Sequence, residues 1–246
     1  MILIESVKYL ESDLIQQIES NDAGFTGIWS PSKKLECGTL FLNSQLSNDV
    51  FFNKLSAVTC INEKMIEQLS EQVRKNRTNL FVHSLNYPEF EKLLKAKGFI
   101  YHDTQYVLKK TSLTPKKSSA VKISSDTISV WTKIFCEAYD CPEWFESVSL
   151  IVQKSLSVID YFVDESMSSC VALYQANSIL GLYCLGTIPS RRKQGTASSL
   201  IDFATNEVQS RNLDFLMLET YGKDKLLKFY SKLGFETLYF KNVYSI

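Results

Sequence analysis

An almost unbroken apolar run, Leu182 to Ile188, stops at a proline and gives way to a basic turn with one glycine. Such a run reads as a central strand buried on both faces. Pro189 ends it because proline cannot donate to a sheet ladder. Gly186 within it marks a bulge, or a close approach by another segment or a ligand. Beyond the turn, Ala197, Leu200, Ile201, Ala204 and Val208 form one apolar stripe at helical spacing. Leu213 to Leu218 is largely apolar again and reads as a second strand. Two long strands flanking a helix confine the chain to the α/β class.

The turn itself is Arg191-Arg192-Lys193-Gln194-Gly195-Thr196-Ala197. A helix N-terminus carries unpaired N–H groups and the positive end of the helix dipole. Glycine there lets an anion approach the backbone, and three basic residues attract it from further away, which suits a phosphate group. The GK[ST] ending of a triphosphate-binding loop is missing, so triphosphate hydrolysis is not favoured. Taken alone, a solvated basic turn before a helix reads the same way.

A second pattern follows downstream. Arg192 to Ala197 matches the R/Q-x-x-G-x-G/A motif of the GNAT (Gcn5-related) N-acetyltransferases, and Tyr230-Ser231-Lys232-Leu233-Gly234-Phe235 resembles their Y-x-x-x-G-F element. The resemblance covers residues 121–246. It implies the GNAT fold, a mixed central sheet flanked by helices. It also implies acetyl-CoA as co-substrate, no metal, and acetyl transfer to a primary amine of a small molecule or a protein. By the same resemblance, backbone N–H groups of Arg192, Lys193, Gln194, Gly195, Thr196 and Ala197 hold the pyrophosphate. Leu185, Gly186, Thr187 and Ile188 line the pantetheine arm. Tyr230 protonates the departing thiolate, although its spacing alone reads as a packed aromatic. Glu219, at the end of its strand, reads either as the base for the amine or as a surface carboxylate. Lys223 stands where the family often has asparagine, a departure from the residue that makes the family's usual pantetheine hydrogen bond. Trp131, Tyr139, Trp144 and Phe145 read as core, with the resemblance implying a border of the acceptor pocket. Two other functions stay open: a non-catalytic acetyl-CoA-binding or scaffold protein, and an aminoacyl transferase using aminoacyl-tRNA.

Lys+Arg and Asp+Glu balance at 27 each among 246 residues, which argues against nucleic acid or an anionic membrane as the main partner. No segment approaches the roughly 20 apolar residues of a membrane span, and Glu5 interrupts the start before any signal-like run. The expectation is a soluble, cytoplasmic protein, with a homodimer left open. Six cysteines without a C-x-x-C pair and two histidines build no zinc spacing. The cysteines read as free, half-buried thiols.

Along the first half, Tyr9 to Ile18 reads as a helix stopped by Asn21-Asp22-Ala23-Gly24, Val50 to Thr59 as a strand, and Asn62 to Val73 as a helix. A short strand from Leu80 to His83, a helix from Pro88 to Ala96 and an extended segment from Phe99 to Leu108 follow. Thr111 to Ser119 is rich in Ser, Thr, Pro and Lys and reads as a linker. That divides the chain into 1–114 and 115–246. Displaced by 136 residues, the first half matches the second at seven identities between 71 and 108, including Gly98-Phe99 on Gly234-Phe235. A divergent duplication is the reading, with two GNAT-like halves. Thr59 falls opposite Gly195, Leu94 opposite Tyr230 and His83 opposite Glu219, so the first half has lost the glycine turn and the tyrosine.

Overall fold

The computed structural model describes residues 2–76 and 79–246, with side chains from Ser12 onward except at Asn76. Helix α1 (Ile2–Trp29) leads to β1 (Ser32–Leu35), β2 (Gly38–Phe41) and β3 (Lys54–Ser56). Then come α2 (Glu63–Asn76), β4 (Phe81–Ser84), α3 (Pro88–Ala96) and β5 (Ile100–Lys110). The chain continues through β6 (Val121–Lys122), α4 (Ile128–Tyr139), α5 (Phe145–Ser155), β7 (Asp160–Val163), β8 (Ser169–Ala176) and β9 (Ile179–Thr187). It ends with α6 (Thr196–Ser210), β10 (Phe215–Tyr221), α7 (Leu227–Lys232) and β11 (Glu236–Ser245). The architecture is mixed α/β, with mixed sheet flanked by helices.

The first compact unit joins residues up to Phe25 to Lys110–Leu218. Strands β6, β7, β8 and β9 pair antiparallel in that order. β10 lies parallel to β9, from Phe215 opposite Ile179 to Leu218 opposite Leu182, because α6 carries the chain back across the sheet. Trp131, Tyr161, Val148, Leu173, Leu200 and Ile201 fill its core. The Trp131 indole N–H, which must find a partner when buried, donates to the Val171 carbonyl at 3.1 Å.

The first helix does not stop at Asn21–Gly24. Asn21 receives the Tyr183 hydroxyl at 2.7 Å and donates to the Ile179 carbonyl at 3.3 Å, so its amide serves packing, not a turn. Phe25 stacks on Tyr183 with ring centres 3.9 Å apart, and a Cβ on Gly24 would meet the Tyr174 hydroxyl at 2.6 Å. The first residues of the expected helix, Tyr9, Leu10 and Glu11, lie outside the described side chains. The Thr111–Ser119 stretch has no regular structure, yet it is pinned: Lys116 exchanges backbone hydrogen bonds with the Asn206 amide and pairs with Asp202 at 3.0 Å.

The second unit joins Thr26–Lys109 to Glu219–Ile246. Its boundaries therefore exchange ends with the 1–114 and 115–246 division: the chain's first turns belong with the later half, its last strand with the earlier. Strands β1, β2 and β3 pair antiparallel, β3 is parallel to β4, and β11 inserts antiparallel between β4 and β5. Leu55, Ile66, Val82, Phe90, Leu94 and Phe99 form much of its core. Of the expected strand from Val50 to Thr59 only Lys54–Ser56 remains, because the Asp49 carboxylate takes the N–H groups of Phe51 and Phe52 and turns the chain.

The 136-residue displacement reappears in this unit's geometry. Gly98 and Gly234 end α3 and α7 at φ +85 and +86, and their N–H groups reach Lys95 and Ser231 carbonyls at 3.1 Å each. Phe99 and Phe235 donate to the carbonyls of Leu94 and Tyr230 at 3.0 and 3.1 Å. In the β5–β11 ladder Gln105 faces Lys241, its own counterpart, so a local twofold passes through that pair. Ser84 and Thr220, counterparts again, each bury a hydroxyl without a hydrogen-bond partner among the described residues.

The cysteines are not all free thiols. Cys37 and Cys60 form a disulfide, with Cα atoms 5.1 Å apart. The Thr59 N–H bonded to the Cys37 carbonyl at 3.2 Å brings the two segments within bridging range. Among the described residues no helix is long and apolar enough to cross a membrane, and no cluster of three or more metal-ligating side chains occurs.

Candidate functional site

The glycine turn stands at the end of β9. The β9–β10 ladder stops at Leu182 and Leu218, while β9 runs on to Thr187 against β8. One extra residue is accommodated there: Cys170 pairs with Gly186 and Ala172 with Tyr183, and Cys184 between them is left-handed at φ +53. The bulge thus falls on Cys184, not on Gly186. Gly186 answers the other reading of a strand glycine, close approach: a Cβ there would lie 2.7 Å from Ala138 Cβ and 3.0 Å from Tyr139 Cε2. Tyr139 donates its hydroxyl to the Leu185 carbonyl at 3.0 Å. The Ile188 N–H is used on the Ser168 carbonyl at 3.0 Å.

The turn has two left-handed residues, Lys193 at φ +63 and Gly195 at φ +88. Successive N–H groups around such residues form a concave, anion-favouring surface. Gly195 has nothing within 4 Å of where a Cβ would stand. As the residue before α6 it offers no side-chain cap, and the first turn of α6 holds no acidic residue, so that end of the helix carries no negative charge of its own. Beneath it, Ser169 donates to Thr196 Oγ1 at 2.7 Å and lies 2.8 Å from Thr187 Oγ1, tying the turn to β8 and β9. Lys193, Gln194 and Gly195 are exposed, and Thr196 and Ala197 half-buried. Arg192 is spent differently: its guanidinium donates to the Thr187 carbonyl at 3.1 Å and the Ala138 carbonyl at 2.9 Å, closing the C-terminal end of α4.

Tyr230 and Glu219 lie in the second unit. Tyr230 is buried among Phe229 and Phe235. Burial, then the Asp224 carboxylate, push its phenol well above the ordinary range. Glu219 is no surface carboxylate: its side chain is 3% exposed and pairs with Lys241, 1% exposed, at 2.9 Å. It also accepts from the Gln105 amide at 3.0 Å. Gln105 Oε1 in turn lies 3.0 Å from His83 Nδ1. Under the 136-residue displacement His83 corresponds to Glu219 and Gln105 to Lys241, so the two contacts are counterparts. Sequence reading had aligned His83 with Glu219, but missed Gln105 and Lys241. The same displacement applied to every polar strand residue would have singled them out.

No family model matches the chain, and no curated protein matches it. Solved structures do. A GCN5-related N-acetyltransferase from Kribbella flavida has a TM-score of 0.66 at 15% identity, covering 93% of this chain and 95% of its own. A functionally unknown conserved protein from Staphylococcus epidermidis reaches 0.65 at 15% identity, over 88% and 93%. A tandem GNAT protein from the clavulanic acid biosynthesis pathway reaches 0.56 at 11% identity, over 85% and 78%. At such identities the likeness shows the fold: this chain has the GNAT fold.

Proposed function

We propose that this chain is an acyltransferase that moves the acetyl group of acetyl-CoA to a primary amine of a small molecule or a protein. The observation that carries the reading is the turn from Arg192 to Ala197. It combines two left-handed residues, open space at Gly195 and an uncapped helix start, at the end of a bulged strand. Its N–H groups would hold the pyrophosphate of the acyl donor, with Lys193 adding charge. Leu185, Gly186, Thr187 and Ile188 would line the pantetheine arm.

In the reaction the neutral amine attacks the thioester carbonyl, and backbone N–H groups of β9 would hold the oxyanion. The C–S bond then breaks, Tyr230 gives its proton to the departing thiolate, and Glu219 takes the amine's proton directly or through water. Burial keeps the Tyr230 phenol protonated at neutral pH, the state a general acid needs, while making it a weaker acid toward the thiolate. Glu219 is engaged by Lys241 at 2.9 Å, so taking a proton there would break that ion pair. That pairing favours a second reading, an acetyl-CoA-binding protein without turnover.

Calorimetric titration with acetyl-CoA, on wild type and Gly195→Asp, tests the site. Binding by wild type and none by the folded mutant is expected, and a wild type that does not bind sinks the reading. Tyr230→Phe should then keep binding and lose roughly 10²-fold or more in turnover. A wild type that binds yet acetylates no amine in a broad panel would leave the second reading standing.

We further infer a duplicated origin, with a first half that has lost donor binding. The paired helix ends, the twofold through Gln105 and Lys241 and the Ser84–Thr220 correspondence support it. Its Thr59 and Leu94 replace the glycine and the tyrosine. We place the protein in the cytoplasm, without a nucleic-acid or membrane partner.

A further inference from the structure

We propose that Cys136 and Cys141, at the end of α4, are a thiol–disulfide pair, with Cys136, which lines a cleft beside the glycine turn, as the attacking thiol. Helix α4 ends at Asp140 in a left-handed conformation, φ 55 and ψ 48, and the Cys141 N–H returns to the Cys136 carbonyl at 2.9 Å. This closure sets the side chains of those two residues against each other. The Cys141 thiol accordingly hydrogen-bonds to that of Cys136, and this contact holds the Cys136 thiol below its ordinary range against burial and Glu143. The cleft measures about 560 Å³, and Cys136 lines it together with Lys133, Glu137, Phe145 and Pro189. Cys136 and Cys141 are buried, but Cys136 borders the cleft. Cys170 lies in β8, its thiol pushed far up by complete burial, and Cys184 sits in the strand bulge.

The chemistry needs a low-molecular-weight disulfide, for which glutathione disulfide is the probe. Cys136, as thiolate, attacks one sulfur; that S–S bond breaks and one glutathione leaves, taking up the proton Cys136 lost. Cys141, deprotonated in turn, attacks the Cys136 sulfur and displaces the second glutathione. Two electrons and two protons pass to the oxidant, leaving one protein disulfide and two thiols.

The bridge would span the turn that carries Ala138 and Tyr139. Those residues hold the Arg192 guanidinium and the Leu185 carbonyl, so closing the pair stiffens the end of β9 and the turn after it. None of this depends on the acyltransferase reading.

The test equilibrates the full-length protein in glutathione redox buffers, followed by thiol trapping and peptide mass spectrometry. Of the four cysteines outside the Cys37–Cys60 disulfide, two should disappear together into a Cys136–Cys141 bridge. Cys141→Ser should accumulate a mixed disulfide on Cys136, whereas Cys136→Ser should leave Cys141 unmodified. Unreactive thiols in the folded protein, or stable separate adducts on both, would overturn the pair; the reverse pattern in the variants would overturn Cys136 as attacker. Amide exchange over residues 185–197 should slow several-fold on oxidation, and unchanged exchange would sever the pair from the turn.

Discussion

A Cβ added to Gly186 meets Ala138 and Tyr139 inside contact distance, whereas one added to Gly195 meets open space. Gly186→Ala must therefore push the end of α4 off β9, at an expected cost of about 1–3 kcal/mol read from a denaturant midpoint. Gly195→Ala adds no clash and costs only its left-handed backbone, about 1–2 kcal/mol. A Gly186→Ala protein as stable as wild type would mean that α4 does not press on the strand. Tyr230 makes a prediction of a different kind. In the unfolded chain its phenol ionises near pH 10, while in the fold burial and Asp224 hold the proton on. The folded state thus binds more protons in alkali: the contribution is whole below pH 10 and is lost as pH rises beyond it. The phenolate absorbance difference between wild type and Tyr230→Phe should be absent at pH 10 and appear only above it. A difference already present at pH 10 would show a hydroxyl open to water.

At the scale of elements, the turn between β7 and β8 depends on one carboxylate. Asp164 is buried and accepts from the N–H groups of Ser166 and Ser168 at 3.1 and 2.7 Å, and from the Ser166 hydroxyl. Burial raises its pKa, but these hydrogen bonds outweigh it and hold the carboxyl below the ordinary range. The stability it contributes is present above pH 4 and lost as pH falls through the depressed value. Asp164→Ala should cost about 1–3 kcal/mol at neutral pH, and the difference from wild type should shrink in acid. A difference independent of pH would remove the carboxylate from the account. The polar stretch Asp164 to Ser168 marks this turn in the sequence, and the apolar run of β9 and the stripe of α6 are legible there too, because burial sets their pattern. Cys184 was not legible, since a left-handed residue in a strand leaves no compositional trace. Nor was the continuation of α1 past Asn21, where the turn-forming residues face tertiary partners instead of solvent. The Cys37–Cys60 bridge and the Glu219–Lys241 pair join residues distant in the chain, which local pattern does not encode.

At the scale of the molecule, the placement of β11 decides what either half can do alone. It pairs with β4 from Asn242 opposite Ser84 to Ser245 opposite Phe81, and with β5 from Glu236 opposite Lys109 to Ser245 opposite Ile100. Tyr244 is buried in the core of the second unit among Leu80, Val82 and Phe90. Removing the later half would leave β4 and β5 without the strand between them, and bury nothing where Tyr244 stood. Lys241 would also be missing opposite Gln105. The division at 115 expects residues 1–114 to be an independent domain, yet the strand between β4 and β5 comes from beyond it. We therefore expect the 1–114 fragment to show no cooperative thermal transition and no near-ultraviolet signal from its buried aromatics. Adding a peptide of residues 235–246 should restore some of both, because the peptide supplies the strand the fragment lacks. A fragment that folds cooperatively by itself would mean that β5 can pair with β4 directly. The inserted strand would then be a late addition to a complete first half.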